Sequence, residues 1–242
     1  MKKSDLFNQN SICIFTDSSF RKNPNCPQNS AIGITAPAYC VYHNNILINQ
    51  GYKILVNSTS QQGELYALCL GIMICRSYRN FPYIRIFSDN QNAVFSVRDR
   101  IFQWIKDTNA GMPVLGFDGR IKNQSYIMDI INTILYNGIQ IELYHVKGHV
   151  KNSSSSIHNA KELFKLSNYI KEQVPDDLII QIANGNNTVD AYSTEILDQF
   201  LKCQYINGTH VNGYQLALSS EYRPFDESQY ESLINSYNKK NR

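Results

Sequence analysis

The sequence predicts an α/β fold in which a mixed five-stranded sheet is flanked by helices. Residues 11–56 contain three apolar segments with strand character. Over residues 58–78 the apolar residues recur at intervals of three and four, which is typical of an amphipathic helix. Strand and helix patterns then alternate, so the later strands join the first three through helices that pack on both faces of the sheet.

The first three strands are expected to form an antiparallel meander. The segment "SICIFTDSS" (11–19) is an apolar run that ends in polar residues. A Pro- and Asn-rich stretch, residues 21–31, predicts a loop. Two further strands, "AIGITAPAYCVYHNN" and "ILINQGYKILV", meet at a turn formed by "HNN". Strands joined by such short connections pair antiparallel.

The rest of the predicted core alternates helix and strand. The helix over 58–78 has three candidate N-caps, which are Ser58, Thr59 and Ser60. A strand at 83–89, helices at 90–107 and 125–138, and a strand at 139–146 follow. Gly138 is expected to close the second of these helices. The predicted order is β-β-β-α-β-α-α-β, followed by further helices.

Composition narrows the class of protein without naming a function. The chain has 242 residues, is 43% hydrophobic and carries a formal net charge of +3, so it permits nucleic-acid binding without requiring it. None of its six cysteines forms a C-x-x-C pair, which favours free thiols over disulfides or a zinc site. The first residues lack the apolar core of a signal peptide, and no segment is long enough to span a membrane. We therefore expect a soluble, cytoplasmic protein.

Three acids occupy comparable places in the predicted fold. Asp17 ends the first strand, Asp89 ends the fourth, and Glu64 lies in the first turns of the first helix. Each acid alone has an ordinary explanation, as a turn former, a cap or a complement to the helix dipole. Together they predict one site, because functional groups in α/β sheets gather at the carboxyl ends of strands. Clustered carboxylates suit Mg²⁺ or Mn²⁺, and two such ions can support phosphodiester cleavage.

Five motifs resemble ribonuclease H of type 1. The strand "IFTDSS" resembles that family's "TDGS" strand, and "TSQQGELYAL" resembles the helix opening that carries its second acid. "IRIFSDNQNAV" resembles its "TDSQ" junction, "RIFQWI" its following helix, and "YHVKGH" is similar to its "WVKGH" strand end. The motifs occur in the family's order over roughly residues 11–200.

The resemblance implies a ribonuclease H-like fold and a specific chemistry. It implies an endonuclease that hydrolyses the RNA strand of RNA–DNA hybrids with two Mg²⁺ or Mn²⁺ ions per site. It assigns Asp17, Glu64 and Asp89 as catalytic metal ligands. His149 matches the family's mobile histidine, which would assist proton transfer and product release. On the sequence alone, a histidine after glycine on a polar loop is also consistent with an ordinary loop residue.

The family has a fourth acid on the helix after the histidine, and the sequence offers two places for it. "HNAKELF" would put Asn159 or Lys161 at the acid position, with Glu162 adjacent, and a lysine would compete with the cations. "GNNTVD" matches the family's Gly-Asn-x-x-small-Asp pattern and ends at Asp190. We therefore predict Asp190 as the fourth catalytic residue and metal ligand.

This choice makes residues 151–183 an insertion in the histidine loop. We expect the insertion to contain a helix from about Ile157 to Gln173, with Ser156 as its N-cap. Loop insertions of this length are thermodynamically tolerable. The insertion could act as a lid or substrate contact beside the site, or it could be a peripheral addition.

Substrate contacts are expected near the starts of two helices and on the histidine loop. The predicted contact residues are Ser18, Ser60, Gln61, Gln62, Asn90, Gln91 and Lys147. Many bacterial members of the family carry a basic, Trp-rich handle after the Asp89 helix. Only a reduced version is present, formed by Arg98, Arg100, Trp104 and Lys106. Lys147, Lys151, Lys161 and Lys165 are expected to compensate.

The predicted organisation is a catalytic domain over residues 1–205 and a C-terminal extension over 206–242. The extension is available for binding a protein partner. One alternative is a catalytically inactive ribonuclease H-like module with a structural or nucleic-acid-binding role. Junction resolvases and integrase-like nucleases lack an acid in the first helix, so Glu64 argues against them. DnaQ-like exonucleases need "D-x-E" in the first strand, which "TDSSF" lacks.

Overall fold

The fold was analysed in a computed structural model of the chain. The structure describes residues 10–22, 32–109, 124–151, 153–202, 204–206 and 209–211. Most of the predicted loop at 21–31 and most of the C-terminal extension lie outside the described residues.

A mixed sheet forms the centre of the fold, as predicted. Its strand order is β3-β2-β1-β5-β6, and β4 also pairs with β2. The strands are β1 (Ser11–Lys22), β2 (Gly33–His43), β3 (Ile46–Tyr52), β4 (Leu55–Ser58), β5 (Tyr83–Ser88) and β6 (Ile141–His145). A separate hairpin joins β7 (Gln204–Ile206) to β8 (Thr209–Val211).

The antiparallel meander of the first three strands is confirmed, with one correction. Asn44 and Asn45 form the turn between β2 and β3, and both have a positive φ, which Asn adopts more readily than most residues. The predicted third strand divides into β3 and β4, and both pieces pair with β2. The described sheet therefore has six strands where five were expected.

Two parallel pairings place the later acids beside the first. β1 pairs in parallel with β5, with Phe15 opposite Phe87 and Thr16 opposite Ser88. β5 pairs in parallel with β6, with Ser88 opposite His145. The residues that follow these pairs, Asp17 and Asp89, therefore lie side by side where the parallel pairing of β1 and β5 ends. The prediction that Asp17 ends the first strand is wrong, because β1 continues to Lys22 by pairing with β2.

Five α-helices flank the sheet in the described part of the chain. They are α1 (Ser60–Ile74), α2 (Gln91–Asn109), α3 (Gln124–Asn137), α4 (Ser154–Ser167) and α5 (Asp176–Lys202). Of the three candidate N-caps of α1, Thr59 is the one that caps it. Its side chain accepts from Gln62 N, and the Gln62 side chain accepts in return from Thr59 N. Gly138 follows α3 with a φ of +57°, as predicted for a C′ glycine.

The sheet separates two apolar layers. On one face Ile12, Ile14, Ile84 and Ile86 pack against α1, α2 and α3. On the other face Cys13, Phe15, Phe87 and Tyr144 pack against α4 and α5. Alternate residues of β1 and β5 enter opposite layers, as the pleat of a strand requires. Both strands are consequently near-continuous apolar runs.

Helix α4 starts earlier than predicted. Its N-cap is Ser153, whose side chain accepts a hydrogen bond from Ser156 N. The predicted N-cap, Ser156, is wrong because it lies inside the first turn. Phe164 of α4 is buried and stacks on Tyr144 of β6, with ring centroids 5.7 Å apart. Helix α4 is therefore packed into the core of the second layer.

Two expectations from composition can be compared with the structure. Cys13, Cys40, Cys69 and Cys75 are buried and form no disulfide, as expected, and burial raises the pKa of each thiol to about 12. Among the described residues, no helix combines the length and the apolar character that a membrane crossing would need.

Candidate active site

Three carboxylates from separate elements meet at the carboxyl end of the sheet. Asp17 lies in β1, Asp89 follows β5, and Glu64 lies in α1. One ligand oxygen from each of these residues lies within 4.8 Å of the others. The site thus contains three of the predicted ligands at a spacing that a metal ion could bridge.

Two glycines allow helices to approach β1 closely at this point. A Cβ atom on Gly63 of α1 would collide with Ser18 Oγ and Thr35, and one on Gly185 of α5 would collide with the Phe15 ring. Glycine permits this approach because it has no side chain. As a result, α1 and α5 lie against opposite faces of β1 on either side of Asp17.

Helix α5 brings Asp190 to the same place. The Asp190 carboxyl lies close enough to Asp17 to help raise the pKa of that residue, although the group of acids whose ligand oxygens lie within 4.8 Å of one another contains only Asp17, Glu64 and Asp89 among the described residues. Further along, Ser19 Oγ lies 2.6 Å from Thr194 Oγ1, and Arg21 forms an ion pair with Asp198 at 3.1 Å. These contacts fix the helix along β1. Asp190 is therefore held beside Asp17 by a helix that is anchored on both sides of it.

His149 faces this fourth acid from the loop after β6. Its Nδ1 atom lies 3.4 Å from Asp190 Oδ2, and its side chain is 81% exposed. The residue has a φ of +51°, a region that non-glycine residues seldom occupy. His149 thus stands at the solvent side of the acids and can reach both water and Asp190.

The alternative positions for the fourth acid point elsewhere. Lys161 Nζ donates to Asp176 Oδ1 at 2.7 Å, and Glu162 pairs with Lys165 at 3.4 Å. Asp176 begins α5, fourteen residues before Asp190, which is about 21 Å along the helix axis. The segment "HNAKELF" is therefore far from the position that Asp190 occupies beside Asp17.

The carboxylates raise one another's pKa. Burial raises the pKa of Asp17 to about 7, with further contributions from Asp89 and Asp190, although the Ser18 N–H at 2.7 Å opposes the shift. Burial, followed by repulsion from Asp17, Asp89 and Asp190, raises the pKa of Glu64 to about 9. At neutral pH such a cluster retains protons unless cations replace them.

The donor set fits divalent metal ions. Glu64 Oε2 and Asn186 Oδ1 are buried and have no hydrogen-bond partner within the described structure, a costly situation for polar atoms. Carboxylate and amide oxygens are the hard ligands that Mg²⁺ and Mn²⁺ prefer. Bound cations would satisfy these oxygens and relieve the repulsion among the acids.

Asn186 is a site residue that the sequence analysis did not single out. It is 1% exposed, and its Nδ2 atom donates to Asp89 Oδ2 at 3.2 Å. It precedes Asp190 by four residues on α5, so both side chains lie on the same face of the helix. This i, i+4 spacing in "GNNTVD" was the available signal.

Some of the predicted substrate contacts are exposed to solvent, and others are buried or already form hydrogen bonds within the protein. Ser60 and Gln61 are exposed at the start of α1, and Gln91 is exposed at the start of α2. Gln62 belongs to the capping box of α1, and Asn90 caps α2 by accepting from Ala93 N at 2.9 Å. Ser18 Oγ is buried, and Lys147 is partly exposed on the histidine loop.

Two residues of the predicted handle have other roles. Trp104 is 2% exposed and belongs to the apolar layer beneath α1 and α3. The Nη1 atom of Arg98 donates to Ser167 O at 3.1 Å, which ties α2 to the end of α4. Lys161 and Lys165, expected to compensate for the reduced handle, are both ion-paired. Lys151 is exposed beside His149.

Several solved structures are similar to this chain. The structure of LC9-RNase H1, described as a type 1 RNase H with the type 2 active-site motif, matches with a TM-score of 0.50 and 12% identity, covering 88% of this chain and 82% of that one. The solution structure of the PFV RNase H domain matches with a TM-score of 0.46 and 18% identity, covering 66% of this chain and 94% of that one.

A third match is a foamy viral protease-reverse transcriptase, whose structure was solved in complex with an RNA/DNA hybrid. It has a TM-score of 0.47 and 14% identity, and the match covers 70% of this chain and 21% of that one. Among curated proteins, no sequence matches the chain.

The sequence model of the RNase H family provides the assignment. It matches residues 9–165, which include Asp17, Glu64, Asp89 and His149 and end inside α4. The match stops before α5 and therefore does not include Asp190. With a family match over more than half of its length and the expected fold around an acidic cluster, the chain belongs to the RNase H family.

Proposed function

We propose that the protein is an endonuclease that hydrolyses the RNA strand of RNA–DNA hybrids with the help of two Mg²⁺ or Mn²⁺ ions. The observation that carries this proposal is the convergence of Asp17, Glu64 and Asp89 within 4.8 Å, with Asp190 near enough to Asp17 to affect its pKa. Membership of the RNase H family supplies the substrate class.

The four carboxylates would hold the ions at the end of the sheet. When bound, such ions stabilise the charge on the attacking and leaving oxygens of the phosphodiester. Asp17 is near enough to both Asp89 and Asp190 for each to raise its pKa, so it would hold metal together with them. Asn186 would fix the Asp89 carboxylate through its 3.2 Å hydrogen bond. Rigid placement of these oxygens is what allows the site to favour the transition state.

His149 would handle protons at the open side of the site. An imidazole is suited to this role because each ring nitrogen can donate or accept a hydrogen bond. Its Nδ1 faces Asp190 at 3.4 Å, so Nε2 is available to exchange a proton with water or with the leaving group. High exposure of the ring also lets it move as product leaves.

The proposal takes residues 1–205 as the catalytic domain and 151–183 as an addition to the histidine loop. Helix α4 lies within that addition, and its Phe164 is fully packed against β6. Residues 206–242 are proposed as a C-terminal extension, whose first described residues take part in the pairing of β7 with β8.

A cleavage assay tests the proposal directly. A labelled RNA–DNA hybrid is incubated with the full chain and Mg²⁺, and we expect cuts in the RNA strand only. Asp17→Asn and Asp190→Asn should each abolish cleavage, because each removes a charged ligand while keeping the shape of the side chain. Asp198→Asn is the matched control, since Asp198 lies on α5 but pairs with Arg21.

Two results would contradict the proposal. Full activity of Asp17→Asn would show that the acidic cluster does not carry the reaction. A folded wild-type chain that leaves the hybrid intact with Mg²⁺ and with Mn²⁺ would instead favour the inactive, nucleic-acid-binding module.

A further inference from the structure

Tyr169 stands at a helix end where glycine is normally found. Helix α4 closes in a Schellman motif, in which Ile170 N donates to Lys165 O at 2.9 Å and Tyr169 N lies 3.4 Å from Leu166 O. Tyr169 is the C′ residue and has a φ of +54°. Gly, or sometimes Asn, occupies this position in most helices, because other side chains are strained there.

Few residues in the described structure share this backbone conformation. Five non-glycine residues have a positive φ, and three of them are asparagines. The other two are His149, at the candidate active site, and Tyr169. Strained backbone of this kind collects at functional sites, where the structure keeps a side chain that folding alone does not require.

The Tyr169 ring is exposed but held in place. It is 76% exposed, and the Arg98 guanidinium lies 5.3 Å from its centroid. The same guanidinium lies 4.6 Å from the Phe95 ring, and it is fixed by Ser167 O and by Asp99 Oδ1. We call Phe95, Arg98 and Tyr169 the Tyr169–Arg98 stack. Its outer ring presents a free face to solvent at little entropic cost.

The Tyr169–Arg98 stack is joined to the acidic site by direct contacts. Asn168, the residue before Tyr169, accepts from His145 N at 2.9 Å and donates to His145 O at 2.8 Å. His145 Nε2 lies 3.2 Å from Asp89 O, and its ring contacts Phe95 at 5.7 Å. The stack is therefore at the same end of the sheet as the carboxylates.

We propose that the Tyr169–Arg98 stack binds one strand of the nucleic-acid substrate, with the Tyr169 ring packed against a sugar or base face. The inference rests on the proposed function and adds a contact outside the acids and the histidine loop. Aromatic rings bind nucleic-acid strands by stacking, and a cation beneath the ring complements the phosphate charge. Such a contact would take the place of Trp104 in the predicted handle, because Trp104 is buried and is not exposed to a substrate.

Tyr169→Asn separates binding from stability. Asn tolerates the left-handed conformation, so we expect the melting temperature to stay the same or rise. Binding of a fluorescent RNA–DNA hybrid is measured by anisotropy in the full chain carrying Asp17→Asn, which should prevent cleavage. We expect Kd to rise about fivefold or more. The slope of log Kd against log salt should not change, because no charge is removed.

Two variants serve as controls. Tyr169→Phe keeps the ring and should bind like its parent. Tyr52→Thr removes a half-exposed tyrosine from β3, at the opposite edge of the sheet, and should leave Kd unchanged. If Tyr169→Phe loses as much affinity as Tyr169→Asn, the stacking ring is not the contact.

The outcomes distinguish this inference from the proposed function. If Tyr169→Asn binds like its parent while the wild type cleaves hybrid, the stack is not a substrate contact and the nuclease proposal stands. If affinity depends on the ring but the wild type does not cleave, the stack stands and the nuclease proposal fails. If the parent chain binds no hybrid, both are overturned.

Discussion

Asn186 donates a hydrogen bond from Nδ2 to Oδ2 of Asp89, across a distance of 3.2 Å, while its own Oδ1 has no partner within the described structure. The Asn186 amide thus orients the Asp89 carboxylate, and its Oδ1 atom adds a further possible metal ligand to the cluster. Loss of a residue that supports a metal ligand in this way typically lowers metal affinity or activity by about 10- to 100-fold.

Asn186→Ala is expected to lower the affinity of the site for Mg²⁺. Without the amide, the Asp89 carboxylate loses its orienting donor, so the Mg²⁺ concentration for half-maximal hybrid cleavage should rise about tenfold. A Mg²⁺ titration of the cleavage rate measures this. Asn187→Ala is the control, because Asn187 faces Val150 O at 3.5 Å rather than the acids. An unchanged Mg²⁺ dependence in Asn186→Ala would contradict this role.

Gly148 allows the histidine loop to pass directly over Asp89. A Cβ atom there would collide with Asp89 Oδ2, so Gly148→Ala must displace either the carboxylate or the loop. We expect cleavage to slow by about 10- to 100-fold, because small displacements of reacting groups have large kinetic effects. The single-turnover rate at saturating Mg²⁺ measures this.

Gly138→Ala is expected to lower stability without slowing cleavage, which is the opposite of the effect expected for Gly148→Ala. Gly138 has a φ of +57° with no atom near the position of a Cβ, so the change strains the end of α3 and touches nothing at the site. It should lower the free energy of unfolding by about 1 kcal/mol and leave the cleavage rate unchanged. Equal rates for the Gly148 and Gly138 variants would show that the loop's approach to Asp89 does not matter.

Much of the fold could be predicted from local patterns. β1 and β5 contain largely apolar runs that lead to Asp17 and Asp89, and the change of apolar spacing after Ser58 marks α1, so the order and location of these elements followed from the sequence. The division of β3 from β4 could not be predicted in this way. It depends on β2, which pairs with both strands and changes register between Gly33 and Ile34.

The candidate site likewise contains residues that local motifs identify and residues that only tertiary packing brings together. Asp17, Glu64 and Asp89 stand in local motifs, so the sequence predicts the site once the three motifs are taken together. Tyr169 has no such signal, because its exposure and its contact with Arg98 exist only after α2 and α4 have packed. The start of α5 did have a local signal in the sequence, because Pro175 followed by Asp176 and Asp177 is typical of a helix beginning.

Asn168 connects α4 to the edge of the sheet, and its removal tests whether α4 is part of the core. Its side chain bonds to His145 N, His145 O and Phe164 O. Asn168→Ala leaves buried backbone groups without partners, so we expect a loss of about 2–4 kcal/mol in the free energy of unfolding. Urea denaturation measures it.

Asn159→Ala is the matched control on the same helix. Asn159 is exposed on α4, and Ala is the better helix former. The variant should be as stable as the wild type or slightly more so. If Asn168→Ala were equally harmless, α4 would be a peripheral addition.

The raised pKa values of two acids predict how stability depends on pH and metal. Without metal, the folded chain keeps protons on Asp17 and Glu64 up to about pH 7 and 9 respectively. The unfolded chain releases them near pH 4. The contribution to stability is therefore complete below about pH 4 and declines as the pH rises through 7 and 9. We expect the melting temperature of the metal-free protein to fall over this range.

Mg²⁺ should reverse this decline, because cations replace the protons that the cluster otherwise needs. Melting curves from pH 5 to 9, with EDTA or with Mg²⁺, measure both effects. Glu64→Gln removes the more strongly shifted carboxyl, so it should flatten the metal-free decline and reduce the gain from Mg²⁺. Glu195→Gln, an exposed change on α5, should leave both curves unchanged. A metal-free melting temperature that rises from pH 5 to 9, or a Mg²⁺ gain that survives in Glu64→Gln, would show that these acids do not form the metal site.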